Sequence, residues 1–105
     1  MSLPKLGQWG PMSGWVSIMT NKPSGILYVG VTGSLRHRAW QHRTGALSGF
    51  TRKYGLKRLV FTEEHQTIQG AIRRQRVIKG WPRAWKVRLI VENNPDWADL
   101  YDQLV

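Results

Sequence analysis

Residues 14–32, GWVSIMTNKPSGILYVGVT, constrain the fold more than any other stretch of the chain. Two runs rich in β-branched and aromatic residues, Trp15–Thr20 and Ile26–Thr32, flank Asn21-Lys22-Pro23-Ser24-Gly25, a cluster of turn formers. Such a segment closes on itself as an antiparallel hairpin, and the later elements must add to it and cover it. Ser34 is placed to cap a helix over Leu35–Thr44, with Gly45 beyond its end. A short helix is expected over Ser48–Tyr54 and a third strand over Leu56–Glu63. Thr67 and Gly80 bracket a helix over 68–80, Pro82 suits the first turn of another over 82–92, and Pro95 opens a last one, DWADLYDQL. This order describes an α+β fold, a small antiparallel sheet flanked by helices. A chain of 105 residues holds one such domain, expected over 14–105. Residues 1–13, with two Pro, two Gly and no periodicity, read as a loose extension.

Charge narrows the function. Sixteen Lys and Arg face six Asp and Glu, a net charge of +10. The distribution is sharper than the total: no acidic residue precedes Glu63, and residues 65–91 contain none either. A surface of this kind attracts polyanions and gains from counterion release, which points to nucleic acid. With no cysteine, disulfides and thiolate metal sites are excluded, and a reducing cytoplasm is consistent with that. No apolar run approaches the roughly 18 residues of a membrane span, and the N-terminus shows no signal-peptide core.

Three elements each aim polar groups inward. On the helix over 35–44, Leu35, Arg38, Ala39 and His42 share one face by their spacing. An inward Arg needs a counter-charge, and the neighbouring sequence offers no carboxylate, so either a distant salt bridge or a phosphate is its partner. His42 is suited to carry a proton near neutral pH, or to serve as a structural hydrogen-bonder. On the second strand, Leu27, Val29 and Val31 alternate with Tyr28, Gly30 and Thr32, and Gly30 beside a tyrosine suggests either a close approach to the backbone or a bulge. On the helix over 68–80, Gln75 lies among Ile68, Ala71, Ile72 and Ile78, where leucine would be the simpler choice. One polar pocket wrapped in positive charge accounts for all three elements.

The segments VSI…LYVGVTGSLRHRAWQHRTG…GFTRKYGLKRLVFTEE…AIRRQRVIKGWPRAWK…NPDWADLY together resemble a stand-alone, small bacterial GIY-YIG nuclease domain. The resemblance runs over about residues 14–101, and rests on the hairpin motif, the Leu-x-x-Arg-x-x-x-His helix and the late tryptophan-containing helix pair. It implies a three-stranded antiparallel sheet and an endonuclease that hydrolyses phosphodiesters with a single divalent cation, Mg²⁺ or Mn²⁺. By the same resemblance, Tyr28-Val29-Gly30 is the YIG triplet, Arg38 the transition-state arginine and His42 the helix histidine near the attacking water. Asn94, before Pro95, falls at the edge of the site.

Two positions depart from the family pattern. Ser17 stands where the first triplet has its tyrosine, and Gln75 stands where the family has its metal-binding glutamate. Gln keeps a carbonyl oxygen but loses the charge that hard cations prefer. Three explanations stay open for Gln75: an engineered silencing change, a natural relative that binds without cutting, or slow cutting with the cation held by substrate phosphate and water. The expectations are therefore a metal-dependent DNA endonuclease weakened at two positions, a degenerate nucleic-acid-binding module, or a basic protein docking on another acidic partner. Arg36, Arg43, Arg52, Lys53 and Arg74 are the candidate phosphate contacts. Trp40, between Arg36 and Arg43, either stacks on an unpaired base, which leans the substrate towards single-stranded DNA, or is covered by the N-terminal extension.

Overall fold

The computed structural model describes residues 12–44 and 49–103, excluding the side chains of His42, Phe50 and Thr51. Nearly all of the expected extension, Gly45 and the start of the expected helix at Ser48 lie outside the described residues. The hairpin forms as its sequence dictates. Strands β1 (Gly14–Thr20) and β2 (Leu27–Thr32) pair antiparallel, with Ser17 opposite Gly30 and Met19 opposite Tyr28. The turn between them is closed by Asn21, whose Oδ1 accepts the Ile26 N–H at 2.9 Å, and by the Gly25 N–H donating to the Lys22 carbonyl at 2.9 Å. Helix α1 (Leu35–Thr44) and the short α2 (Phe50–Lys53) lead to β3 (Arg58–His65). Strand β3 pairs antiparallel with β1 on its other side, so the sheet order is β2-β1-β3. Helices α3 (Ile68–Lys79) and α4 (Arg83–Asn93) follow, then a single 3₁₀ turn over Leu100–Gln103.

Alternation along the strands makes two cores, one on each face of the sheet. Val16, Ile18 and Val29 point towards α3 and α4 and pack with Ala71, Ile78, Ile90 and Trp97. Trp15 and Met19 point the other way and pack with Leu35, Ala39, Leu56, Leu59 and Leu100, with Tyr28 at the margin. Gly14 permits the first of these: a Cβ there would lie 2.7 Å from the Ile68 Cα, so only glycine lets the start of α3 rest on β1. The register between β1 and β3 slips after Ile18, which faces Phe61, while Met19 faces Leu59. Val60 is the extra residue, a β-bulge that puts Val60 and Phe61 in the same core.

Three sequence-based expectations are refined by this structure. Among the described residues, the hydroxyl engaged at the start of α1 is that of Thr32, not Ser34: Thr32 Oγ1 accepts from the Ser34 N–H at 3.1 Å and donates to its carbonyl at 3.2 Å. Gly80 does follow α3, but with φ of −78°, so the helix ends there without a left-handed cap, just before Pro82. The expected helix after Pro95 shrinks to the 3₁₀ turn, because Trp97 takes a positive φ of 54° and breaks the helical path. That conformation is braced on both sides, since the Trp97 N–H donates to Asn94 O at 3.0 Å and Arg58 Nη1 donates to Trp97 O at 3.0 Å. The other caps follow the reading: Thr67 Oγ1 accepts the Gly70 N–H at 3.1 Å, and Pro82 precedes α4. No helix among the described residues is long and apolar enough to cross a membrane.

Candidate phosphodiester site

The hairpin register brings Ser17, Tyr28 and Gly30 onto the sheet face that α1 covers. Gly30 makes the hollow between them. A Cβ built on Gly30 would sit 3.2 Å from Cε1 of Tyr28 and 3.8 Å from Oγ of Ser17. The close approach that the Tyr-x-Gly pattern suggested is therefore made by the Tyr28 ring itself, lying across the bare backbone towards Ser17. Ser17 is buried, Tyr28 half-buried, and the paired residue on β3 is Thr62, so this part of the face is lined with hydroxyls.

Helix α1 adds the positive charge. Its Leu35 and Ala39 are buried against this face, which leaves Arg38 half-buried at the margin of the same stripe. Among the described residues no side chain or carbonyl bonds the Arg38 guanidinium, so the distant salt bridge is not formed there. A half-buried, permanently charged fork with no partner among the described residues has the chemistry to receive an oxyanion. His42 lies on α1 one turn beyond Arg38, but its side chain is outside the described residues. On the outer side of α1, Arg36 is exposed, and Trp40 is 48% exposed with the His37 ring stacked at 5.9 Å.

Gln75 is buried on α3, in line with Ala71 and Ile78, as its spacing predicted. Those two apolar neighbours belong to the core on the α3 side of the sheet, whereas Ser17 and Tyr28 face α1, so the single polar pocket expected from the sequence does not gather Gln75 with Tyr28 and Arg38: alternation along the strands sets them on opposite faces. The amide carries no charge, and among the described residues no group of three or more His, Asp or Glu could hold a metal ion. The donor set present does not fit a resident hard cation, which would require carboxylates.

Several expected nucleic-acid contacts are engaged inside the protein. Arg43 donates through Nη2 to Oδ2 of Asp99 and lies 4.4 Å from the centre of the Tyr101 ring. Arg74 grips Glu63 with Nε at 3.0 Å and Nη2 at 3.4 Å, and its guanidinium rests 5.2 Å from the Trp81 ring. His65 Nε2 reaches the same Glu63 at 2.7 Å, completing a three-residue network on the α3 side. Glu63 and His65 alternate on one face of β3, a signal visible in the sequence, but their partner on α3 is not. Arg52 and Lys53 of α2 remain exposed. Asn94 is buried with its amide fully used. Its Nδ2 donates to the carbonyls of Val60 at 3.1 Å and Ala98 at 2.8 Å, and its Oδ1 accepts the Ala98 N–H at 3.0 Å. It serves the β-bulge and the loop after α4.

Comparison with known proteins agrees with this architecture. Residues 13–88 match the GIY-YIG catalytic domain. The fold is similar to the solution structure of a UPF0213 protein from Bacillus halodurans, with a TM-score of 0.53 and 26% sequence identity, covering 84% of this chain and 93% of that one. Among curated proteins, no sequence matches.

Proposed function

Because the chain belongs to the GIY-YIG family of nucleases, we propose that it binds DNA at the α1 face of its sheet as a phosphodiester endonuclease whose hydrolytic power is reduced by Ser17 and Gln75. The observation that carries this reading is Arg38: a half-buried guanidinium without a protein partner among the described residues, on the helix that covers Tyr28 and Ser17. Arg38 takes the scissile phosphate in a charge-assisted, two-pronged hydrogen bond and stabilises the negative charge that grows on it. The Tyr28 phenol, held over Gly30, orients the attacking water, and Ser17 leaves room for a further water where the family has a second phenol. His42 accepts the proton of the attacking water, the P–O bond to the leaving strand breaks, and the departing oxygen takes a proton from solvent. In the family a single cation, Mg²⁺ or Mn²⁺, would add Lewis acidity from the glutamate position; here that position is the neutral Gln75, on the α3 side of the sheet, which does not fit a resident cation, so binding of DNA outlasts efficient cutting. A net charge of +10 supports the nucleic-acid partner, and the lack of cysteine fits action in the cytoplasm.

The test is cleavage of labelled single- and double-stranded DNA with Mg²⁺ or Mn²⁺ by the wild type, Gln75→Glu and Arg38→Ala. Gln75→Glu is expected to raise cleavage by at least an order of magnitude, and Arg38→Ala to remove what cleavage there is. If Gln75→Glu gains nothing and Arg38→Ala loses neither cleavage nor binding, the reading is wrong.

A further inference from the structure

Helix α4 carries an outward stripe that the site above does not use. Trp85, Arg88, Leu89 and Glu92 follow one another at helical spacing on α4 and, with Trp81 just before the helix, line an open groove of about 170 Å³. Trp81 is half-buried against the α3-side core, with Arg74 resting near its ring. Trp85 stands edge-on to it at 6.0 Å and 68°, and is 50% exposed. Ile90 anchors the helix in the α3-side core, so this groove lies across the sheet from Tyr28 and Ser17.

We infer that this groove is a second nucleic-acid contact, where an unpaired base of a single strand stacks on Trp85 while Arg88 holds the adjoining phosphate. Three observations select that occupant. The groove is shallow and open to solvent, a shape that suits a flat ring laid against its wall rather than an enclosed small molecule. Its wall is an indole with much of its surface open to solvent, a platform on which any base can stack. One cation stands beside the ring: Arg88 is in the lining, and the segment 65–91 around it contains no carboxylate. Glu92 closes the far end, where a carboxylate repels phosphate but accepts hydrogen bonds from base amino groups. A duplex keeps its bases stacked inside and gains nothing from the platform. The inference goes beyond the nuclease reading and stands independently of whether the other face cuts.

The experiment is fluorescence anisotropy of the full chain with a labelled single strand and with a duplex of equal length, across a salt series. Trp85→Ala is expected to weaken single-strand binding by about fivefold to a hundredfold, to leave duplex binding within about twofold, and to be largely rescued by Trp85→Phe but not by Trp85→Leu. Arg88→Ala should lower the single-strand salt slope by about 0.7, which supplies a second reading if Trp85→Ala folds poorly. Unchanged single-strand affinity in Trp85→Ala, equal losses on both substrates, rescue by leucine, or an unchanged salt slope in Arg88→Ala overturns the proposal. Capture of a proline-rich peptide by the wild type, with strand binding intact in Trp85→Ala, would assign the groove to a peptide and overturn it as well. Arg38→Ala separates the two surfaces, because it disables the α1 face and leaves the effect of Trp85→Ala in place.

Discussion

Arg43 and Asp99, 56 residues apart, are joined by a charge-assisted hydrogen bond that locks the end of α1 to the C-terminal segment. The other oxygen of Asp99 accepts two backbone N–H groups, from Leu59 at 3.2 Å and Tyr101 at 3.0 Å. One carboxylate thus ties together α1, the start of β3 and the 3₁₀ turn. Asp102 lies 3.8 Å from the same guanidinium.

This junction makes Asp99 a stability residue. Asp99→Ala removes three hydrogen bonds to an ionised acceptor and leaves two backbone donors to find water, so a loss of about 2–3 kcal/mol is expected. For a domain of this size that is a fall in Tm on the order of 10 °C or more. Denaturant unfolding checks it, and a loss below about 0.5 kcal/mol would show that the junction contributes nothing beyond an ordinary surface position.

Arg38 and Arg43 sit on the same helix, but they differ in their partners, and salt dependence should separate them. Arg38→Ala is expected to reduce the slope of log affinity against log salt for duplex DNA by about 0.9, one phosphate contact. Arg43→Ala should leave that slope unchanged and lower the unfolding free energy instead, since its charge is answered by Asp99. Equal slopes for the two variants would contradict the assignment.

Gln75→Glu should expose a link between metal and folding. Gln75 is 9% exposed, and a carboxylate there without a cation is a buried charge with no counter-ion. The metal-free variant is expected to be less stable than the wild type by about 1–3 kcal/mol. Burial raises the carboxyl pKa in the folded state, so the neutral form is favoured: the variant should match the wild type most closely at pH below the ordinary Glu range and fall behind as pH rises. Mn²⁺ should then recover stability in the variant and not in the wild type. Thermal melts with and without Mn²⁺ at two pH values measure both effects, and a variant indifferent to both would remove Gln75 from the metal position.

Asn94→Ala should destabilise the protein by about 2–3 kcal/mol, because three hydrogen bonds around a buried amide are lost and the Val60 carbonyl at the bulge loses its donor. Cleavage or DNA binding, measured well below the variant's Tm, is expected to be unaffected. A catalytic loss in a fully folded Asn94→Ala would place this residue in the site.

Local patterning determined much of this protein. The turn cluster at 21–25 and the alternation on either side specify the hairpin, and with it the placing of Ser17, Tyr28 and Gly30 on one face. The 3.6-residue stripe on α3 specifies that Gln75 is inward, because period and amphipathicity are properties of neighbouring residues. Tertiary structure decided what depends on partners distant in the chain. It took Arg43 and Arg74 away from the basic surface, since only the fold brings Asp99 and Glu63 within reach of them. It cut the last expected helix down to a loop and a single 3₁₀ turn, because Asn94 bonds to the bulge on β3 and Trp97 is buried in the α3-side core at a positive φ. It also assembled the Trp81–Trp85 groove at the α3–α4 corner. A charge count treats every arginine alike; whether a given guanidinium is spent on a carboxylate or left for a phosphate is settled by distances that no local pattern encodes.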